Sequence, residues 1–411
     1  MRAPRNVPLP TTERRRFMGA MGLVTLGALT PSAATVPPVA PRSDFLLEPG
    51  LVYLNTGSVG PASQAVLDGT MRAWREIEAN PVGMIYGNGA GHRAIDLVHQ
   101  QAAAFLGCTA DEVLFTRSTT EAMNSVATGI RWMPGDRVLL TDQEHDGGSL
   151  GWRHVARRHG VALDRIAIAT SDHDPARLVE RVAAALTPGT RVVSVSHVIT
   201  TTGLRMPIRE IAALARSRGV LCVVDGAQAV GHVAVDVRAL GCDAYAACGH
   251  KWLLGPKGTG LLYISKDAED RIQPVQREDG RRFVAHSTGI GSLPLIAGLG
   301  VAIEAAQTPG MAAVESQIMS LRARVFAGLQ AIPALVMASP RSAALGTGLV
   351  AARVPDSHPA DALRDRLRDR HRVIVKMVEK QWFNGIRLSA HVFNTEADVD
   401  AALAALRIEL A

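Results

Sequence analysis

The chain has 411 residues, of which 47% are hydrophobic, 20% charged and 4% aromatic. This length allows a large buried core and suits one large two-part subunit or two ordinary domains. Four cysteines without a CxxC pair exclude a disulfide scaffold and a cysteine-rich zinc site, so no metal is expected. No apolar run approaches the roughly 20 residues of a membrane-spanning helix, so no stable membrane anchor is expected.

The formal net charge of +6 is concentrated at the N-terminus. Residues 1–34 contain five arginines and one glutamate, which leaves the rest of the chain only slightly basic. A slight excess of positive charge is ordinary for a soluble enzyme. Basic residues also do not alternate with aromatic ones, as they do in a base-stacking surface. The charge pattern therefore predicts no nucleic-acid partner.

Residues 1–34 have the order of an export signal. Three consecutive arginines end at Arg16 and precede the apolar run 17–29, and small residues follow that run. A basic, then apolar, then small-residue order is typical of secretory signals, and adjacent arginines are typical of the twin-arginine type. The other interpretation is a basic tail in front of a buried helix. We expect export to the periplasm by the twin-arginine machinery, with residues 35–43 as a Pro-rich linker.

The next part of the chain alternates between strand and helix patterns. Short apolar runs predict strands at residues 113–115, 138–140, 192–198, 220–224, 245–247 and 260–264. Helical periodicity separates them at residues 94–106, 119–130, 176–186 and 208–216. Alternation over roughly 200 residues predicts an α/β fold with a mainly parallel sheet covered by helices on both faces. We assign residues 44–293 to this large domain.

The pattern changes after residue 293. Two long helices are predicted first, and then shorter strands and a last helix, at residues 295–307, 311–331, 349–354, 372–375, 386–389 and 396–410. This order predicts a smaller C-terminal α+β domain over residues 294–411.

The side chains best suited to catalysis or cofactor binding lie at two predicted strand ends. Asp225 ends an apolar strand and precedes Gln228, and Lys251 follows His250 in a glycine-flanked turn after the next strand. A carboxylate and a lysine on adjacent strand ends suit pyridoxal phosphate (PLP), which needs an anionic partner and an imine-forming amine. Taken singly, the aspartate could cap a helix and the lysine could be solvated. Their joint spacing favours the cofactor.

On these residues the chain resembles the class V aminotransferase family of fold-type I PLP enzymes, close to its isopenicillin N epimerase-like branch. The motifs DGAQ at 225–228 and GHK at 249–251 carry the likeness, together with GPKG at 255–258. It extends from LVYLNTG at 51–57 to GIRLSAHVFNT at 385–395. The resemblance implies a homodimer that acts on a small amino-acid-type substrate.

The resemblance implies roles for the motif residues. Lys251 would form the Schiff base and then move the Cα proton. Asp225 would pair with the ring nitrogen, Gln228 would contact the phenolic oxygen of the ring, and His250 would contact the phosphate. His145, in the loop after residues 138–140, would stack on the ring; taken alone it would be a solvated loop histidine.

Segment 116–122 (TRSTTEA) resembles the phosphate cradle of the family, which implicates Thr119 and Thr120. Backbone N–H groups at a helix N-terminus bind phosphate, although a plain helix cap would use the same residue types. Arg387 matches the family arginine that binds the substrate carboxylate through its fork-shaped guanidinium; the other interpretation is a surface arginine. Asn55 is expected beside the substrate.

Three positions depart from the family pattern. Cys248 stands where a phosphate-binding serine is frequent, and a thiol is a poorer donor than a hydroxyl. Thr200 stands where desulfurase relatives have asparagine, and it can still donate to the phenolic oxygen. Thr288 is the candidate for a phosphate contact to the partner subunit.

Several reactions start from the same Cα carbanion on PLP. Transamination, epimerisation and β-elimination are not separated by the sequence. Desulfuration through a persulfide is not expected, because no cysteine follows Cys248. Motifs of dinucleotide enzymes (GxGxxG after a strand), serine hydrolases (GxSxG) and zinc proteases (HExxH) are missing.

We therefore predict an exported PLP-dependent enzyme, aminotransferase-like or epimerase-like, that acts at Cα of an amino acid or amino-acid-containing metabolite. An oxygen-using tailoring enzyme and a β-eliminating C–S lyase remain alternatives, because an exported enzyme meets little free 2-oxoacid. A PLP-fold protein that binds without turnover is the alternative from another class.

Overall fold

The computed structural model describes residues 39–85, 90–169, 174–277, 284–285 and 289–411. The described residues from 39 onwards belong to one compact unit. The predicted export signal, residues 35–38 of the predicted linker and Thr288 lie outside the described residues.

The helices of the described chain are α1 Gln64–Ala79, α2 Pro81–Ile85, α3 Ala90–Leu106, α4 Thr119–Gly129, α5 Asp146–His159, α6 Pro175–Ala185, α7 Ile208–Ser217, α8 Val237–Leu240, α9 Leu293–Gln307, α10 Met311–Gln330, α11 Ala360–His371 and α12 Glu396–Glu409. The strands are β1 Val52–Tyr53, β2 Val113–Thr116, β3 Arg137–Thr141, β4 Ala162–Ile166, β5 Thr190–Ser196, β6 Leu221–Asp225, β7 Ala244–Cys248, β8 Gly260–Ile264, β9 Val284–Ala285, β10 Gly289–Ile290, β11 Val336–Met337, β12 Leu349–Arg353, β13 Val373–Ile374, β14 Lys376–Val378 and β15 Gly385–Ser389.

A seven-stranded sheet has the order β2-β8-β7-β6-β5-β3-β4. The pairs from β7 to β4 are parallel, and β8 runs antiparallel to both of its neighbours. Successive residues of β6 belong to different cores, with Val223 in one apolar cluster and Val224 in the other. Both faces of the sheet are therefore buried, as expected for parallel strands. The predicted α/β fold class is confirmed.

A second, antiparallel sheet has the order β11-β12-β15-β14. Its apolar residues, such as Val350 and Leu388, share a core with Leu363 of α11 and Leu406 of α12. Residue Leu54, just after β1, is buried in the same core. The segment that follows β1 is thereby held between the two sheets.

The predicted strands of the large sheet all form, with ends within about three residues of those expected. Helices α1, α5 and α11 and strand β4 were not predicted. Helix α5 begins Asp-Gly-Gly and buries glycine and serine beside Trp152 and Val155, and α11 is rich in arginine and aspartate, so both offer few apolar residues to indicate a helix. In the described residues, none of the helices combines the length and the apolarity needed to cross a bilayer.

Candidate active site

A cavity of about 300 Å³ lies where the carboxyl ends of the large sheet face β14 and β15. In parallel α/β sheets this edge is where ligands bind. Ten of the residues predicted from the sequence line it: Thr119, Thr120, His145, Thr200, Asp225, Gln228, Cys248, His250, Lys251 and Arg387. Residues as far apart in the chain as Thr119 and Arg387 thus meet at one place.

Asp225 is the last residue of β6 and is buried. Its Oδ1 accepts a hydrogen bond from the backbone N–H of Ala227 at 2.9 Å. Gly148, near the start of α5, packs against the carboxylate of Asp225. Any larger residue at this position would place its Cβ only 2.4 Å from Oδ2 of Asp225, so the close approach requires glycine. The carboxylate is therefore held in one orientation at the base of the cavity.

A second carboxyl group, that of Glu144, lies behind Asp225. Glu144 accepts hydrogen bonds from the hydroxyls of Thr141 and Ser196, each at 2.6 Å. Because Thr141 ends β3 and Ser196 ends β5, Glu144 joins two strand ends. Burial, assisted by the charge of Asp225, raises the pKa of Glu144 to about 7. The sequence analysis did not identify this residue.

His145 precedes α5 and caps it. Its Nδ1 accepts a hydrogen bond from the N–H of Gly147 at 3.0 Å, so the neutral ring carries its proton on Nε2. Burial, followed by the charge of Lys251, lowers the pKa of His145. A neutral imidazole therefore faces the cavity at neutral pH.

Lys251 lies in the turn after β7. The N–H of Gly60 donates to the carbonyl of His250 at 2.8 Å, and a Cβ at Gly60 would lie 2.1 Å from the carbonyl oxygen of Lys251. The segment after β1 thus packs directly on the lysine turn. Burial, followed by the charge of Lys251, lowers the pKa of His250.

The start of α4 forms one end of the cavity. Ser118 caps this helix, because its hydroxyl accepts from the N–H of Glu121 at 3.1 Å. Thr119 and Thr120 are the first residues of the helix and line the cavity. Backbone donors at this helix end suit a phosphate.

Cys248 lines the cavity near this end, but its thiol is already directed to a backbone carbonyl. Its Sγ points to the carbonyl oxygen of Ala227 at 3.8 Å, and burial raises the pKa of the thiol. The group is therefore a neutral thiol that donates to Ala227 and lies close to Thr119 at the start of α4.

Arg387 comes from β15 and is buried. Its Nη1 donates to the carbonyl oxygen and to the hydroxyl of Thr200, both at 2.9 Å, and its Nη2 donates to the hydroxyl of Ser58 at 3.2 Å. Burial lowers the pKa of Arg387 to about 10, so the group is still charged at neutral pH. Its Nε is buried without a hydrogen-bond partner in the described chain.

Gln228 is the central residue of a network beside Arg387. Its Nε2 donates to the carbonyl of Gly57 at 2.8 Å and to the hydroxyl of Thr200 at 3.1 Å. Its Oε1 accepts from the indole N–H of Trp252 at 2.7 Å.

Asn55 is outside the cavity lining. Its Oδ1 accepts from the hydroxyl of Ser58 at 2.7 Å, and Ser58 in turn accepts from Arg387. Asn55 is therefore one residue removed from the cavity. Its expected contact with substrate, like the role of Thr288, stays a prediction.

Two cavity residues had no signal in the sequence. Lys376 on β14 and Glu379 just after it line the cavity and form an ion pair at 2.5 Å. Burial acts to raise the pKa of Glu379, but its hydrogen bond with Lys376 lowers the pKa overall. Short charged segments of this kind are common on protein surfaces, so the sequence alone did not distinguish them.

The residues present fit PLP. Nε of Arg387 is a buried donor at the cavity without a hydrogen-bond partner in the described part of the chain, and Nδ1 of His250 is a buried ring nitrogen without one. Buried polar groups normally have partners. These two nitrogens match an anion at the phosphate end and a carboxylate at the other. Asp225 offers an oriented carboxylate to a protonated ring nitrogen, and Lys251 offers the amine.

Thiolate chemistry and metal binding find little support in the described residues. Burial raises the pKa of all four cysteine thiols, which disfavours a reactive thiolate. Groups of three or more metal-binding side chains do not occur among the residues that the structure describes.

The family model for Aminotransferase class-V matches residues 52–402. Isopenicillin N epimerase from Streptomyces clavuligerus is 30% identical over an alignment of 391 residues, and the match covers 89% of this chain and 96% of that protein. A cysteine desulfurase from Yersinia pseudotuberculosis is 30% identical over an alignment of 388 residues, and the match covers 87% of this chain and 93% of that protein.

Among solved structures, a C-DES mutant with glycine covalently linked to the PLP cofactor has a TM-score of 0.81 and 26% identity. The match covers 90% of this chain and 99% of that one. The fold, the enzyme class and the cofactor expected from the sequence are thus confirmed. The chain belongs to the class-V aminotransferase family, as a fold-type I enzyme that uses pyridoxal phosphate.

Proposed function

We propose that the chain is an exported enzyme that acts at Cα of an amino acid, or of an amino acid unit in a larger metabolite, in an aminotransferase-like or epimerase-like reaction. The main support for this proposal is the arrangement of three side chains. The amine of Lys251, the carboxylate of Asp225 and the unpartnered Nε of Arg387 converge in one cavity of about 300 Å³. This volume is of the size that small-molecule sites have.

PLP, when bound, withdraws electrons from Cα and so weakens its bonds. Asp225 would hold the ring nitrogen protonated, which would keep the ring an effective electron acceptor. Arg387 would bind the substrate carboxylate through Nε and the remaining hydrogen of Nη2. Lys251 would hold the cofactor and would take and return the proton at Cα. His145 would be a neutral imidazole beside the cofactor, so it would not add a second positive charge next to the one that Asp225 stabilises.

Sulfur transfer is less well supported than chemistry that keeps the carbon skeleton. Desulfurases are among the relatives, but no cysteine follows Cys248 in the chain. The thiols that are present have raised pKa values. A β-eliminating lyase, an oxygen-using enzyme and a non-catalytic binding protein remain outcomes of the test.

The test is the visible absorbance of the purified mature protein with amino acids and peptidyl amino acids, in air and under argon. We expect a band that substrates perturb equally in both gases, with products that retain the carbon skeleton. A visible band that substrates change only in air would contradict the proposal and would indicate an oxygen-using reaction instead. Release of pyruvate and sulfide or ammonia would replace it by elimination. A protein that never shows a band with added PLP would be a binding protein.

Export and assembly complete the proposal. The arginines that end at Arg16 support a twin-arginine signal, and the family resemblance supports a homodimer in which Thr288 reaches the phosphate of the partner subunit. Replacing Arg14, Arg15 and Arg16 by lysine should leave the protein in the cytoplasm, which cell fractionation measures; unchanged export would contradict the signal.

The homodimer is tested separately, by analytical sedimentation of the PLP-loaded protein. A monomer would contradict the predicted dimer.

A further inference from the structure

The charged side chains at the substrate end of the cavity are two cations and one anion. The acidic and basic residues that line the whole cavity are Asp225, Lys251, Lys376, Glu379 and Arg387. Asp225 and Lys251 are assigned to the cofactor, which leaves Lys376, Glu379 and Arg387 for the substrate. One further negative charge, such as the carboxylate that Arg387 is proposed to bind, completes the balance. A second charge of either sign on the substrate would disturb it.

Lys376 and Glu379 form an ion pair of their own beside Arg387. Lys376 is directly opposite Arg387 in the pairing of β14 with β15, and side chains at opposite positions project from the same face of a sheet. Two positive charges there would repel each other, but the carboxylate of Glu379 lies 2.5 Å from the ammonium group of Lys376. Burial lowers the pKa of Arg387, and the charge of Glu379 partly offsets this effect. The carboxylate of Glu379 is therefore held by Lys376 within range of both cations.

This ion pair is half-buried in the cavity wall. Lys376 and Arg387 lie on neighbouring strands, whose backbones are about 5 Å apart, so a substrate bound to Arg387 by its carboxylate is next to the pair. We infer that the side chain of the substrate lies against the Lys376–Glu379 pair, and that this pair selects an amino acid unit with an uncharged side chain. The inference deepens the proposed function and rests on it, since it requires a loaded cofactor and an α-carboxylate at Arg387.

The pair disfavours side chains of either charge. An acidic side chain would face Glu379, and a basic one would face Lys376 and Arg387; such contacts between like charges weaken binding. An uncharged amide would instead accept a hydrogen bond from the ammonium group and donate one to the carboxylate. The pair can make both bonds without separating, because an ammonium group has three hydrogens and a carboxylate has two oxygens. Uncharged polar side chains are therefore expected to bind best.

The experiment compares three amino acids whose side chains have similar lengths and different charges: glutamine, glutamate and ornithine. The apparent dissociation constant of each is measured from the change that it causes in the visible band of the PLP-loaded protein. In the parent protein, glutamine should bind about tenfold more tightly than either charged amino acid. A factor of this order is expected from one contact between unit charges that are partly exposed to water.

Each half of the pair has its own variant. Glu379→Gln leaves Lys376 without its anion and should make glutamate bind about tenfold more tightly relative to glutamine. Lys376→Met leaves Glu379 without its cation and should do the same for ornithine, while glutamate still binds weakly. Because the two variants favour opposite charges, a general loss of binding cannot imitate the result, and either variant alone is decisive.

Lys266→Met is the matched control. Lys266 forms an ion pair of similar length with Asp111, at 2.7 Å, but neither residue lines the cavity. The ratios of the three dissociation constants should therefore stay at their parent values.

Two results would overturn the inference while leaving the proposed function intact. The first is a parent protein that binds glutamate or ornithine as tightly as glutamine. The second is a set of unchanged ratios in Glu379→Gln and Lys376→Met, including an equal change for all three amino acids, because the pair would then act on the α-carboxylate that they share. A parent protein whose visible band none of the three amino acids changes would instead remove the proposed function and this inference with it.

Discussion

The cofactor end and the substrate end of the cavity come from different parts of the fold. At the cofactor end, Asp225 and Lys251 follow neighbouring strands of the large sheet, and Thr119 starts the helix after β2. At the substrate end, Arg387 lies within a strand of the second sheet, and Lys376 begins another.

The difference has a physical origin. Strand ends of a parallel sheet and the first turn of a helix present backbone groups and short side chains at fixed places. The substrate end depends on long side chains that cross from one sheet to the other, as Arg387 does to reach Thr200 at 2.9 Å. Cofactor binding is therefore built into the large sheet, whereas substrate choice depends on how the two sheets pack.

The largest expected effect is at the cofactor end. Lys251→Ala should fold, because the side chain occupies a cavity, but it should lose the covalent link to PLP and all turnover. Absorbance and activity measure the two losses. Lys257→Ala is the matched control, since Lys257 belongs to the same glycine-rich segment but does not line the cavity. Retained turnover in Lys251→Ala would remove the lysine from its role.

Asp225→Ala should keep the link to PLP and lose activity by about 10²- to 10³-fold, the loss typical of removing one group that stabilises transition-state charge. The reason is that the ring nitrogen is no longer held protonated. Rates with a saturating substrate measure the effect, and the visible band checks that the cofactor is still bound. An unchanged rate would show that the ring nitrogen needs no anionic partner.

At the substrate end the effect should be selective. Arg387→Ala removes charge-assisted hydrogen bonds, each worth about 1.5–3 kcal/mol, which corresponds to a loss of roughly 10- to 100-fold in kcat/KM for substrates with a carboxylate. Simple amines, which have no carboxylate, serve as the control substrates and should lose much less. Equal loss for both classes would mean that Arg387 acts on the fold and not on the carboxylate.

The same contrast explains what the sequence could predict. Asp225, Gln228, His250 and Lys251 lie in two short motifs, and the strands that carry them are continuous apolar runs, so their meeting at one sheet edge was foreseeable. Glu144 had no such signal. It is one glutamate in a polar loop, and only the packing of β3 against β5 brings it to Ser196.

The substrate end was partly foreseeable. Arg387 was found through its motif, but its partner Thr200 is 187 positions away in the sequence. Lys376 and Glu379 lie in a charged segment without periodicity, and their position over the cavity follows from the pairing of β14 with β15. Contacts of this kind depend on tertiary packing, which local patterns do not encode.

Glu144 gives the smallest expected effect, on stability. Its pKa rises from 4.5 to about 7 in the folded chain, chiefly because of burial. The folded state thus holds the proton more tightly, so the stability from this group is complete below pH 4.5 and is lost as the pH rises to 7. The free energy of unfolding should fall by on the order of 3 kcal/mol at most over this range.

Glu144→Gln should remove that part of the slope, as measured by urea unfolding at several pH values between 4.5 and 8. Burial lowers the pKa of His197, His232 and His391 in the folded chain, so these groups also change stability with pH in part of this range. The informative quantity is therefore the difference in slope between the variant and the parent protein. Glu379→Gln is the control, because the pKa of Glu379 is lowered and it does not titrate in this window. Parallel curves for Glu144→Gln and the parent would mean that Glu144 stays ionised beside Asp225, with its three donors from Thr141 and Ser196 outweighing burial.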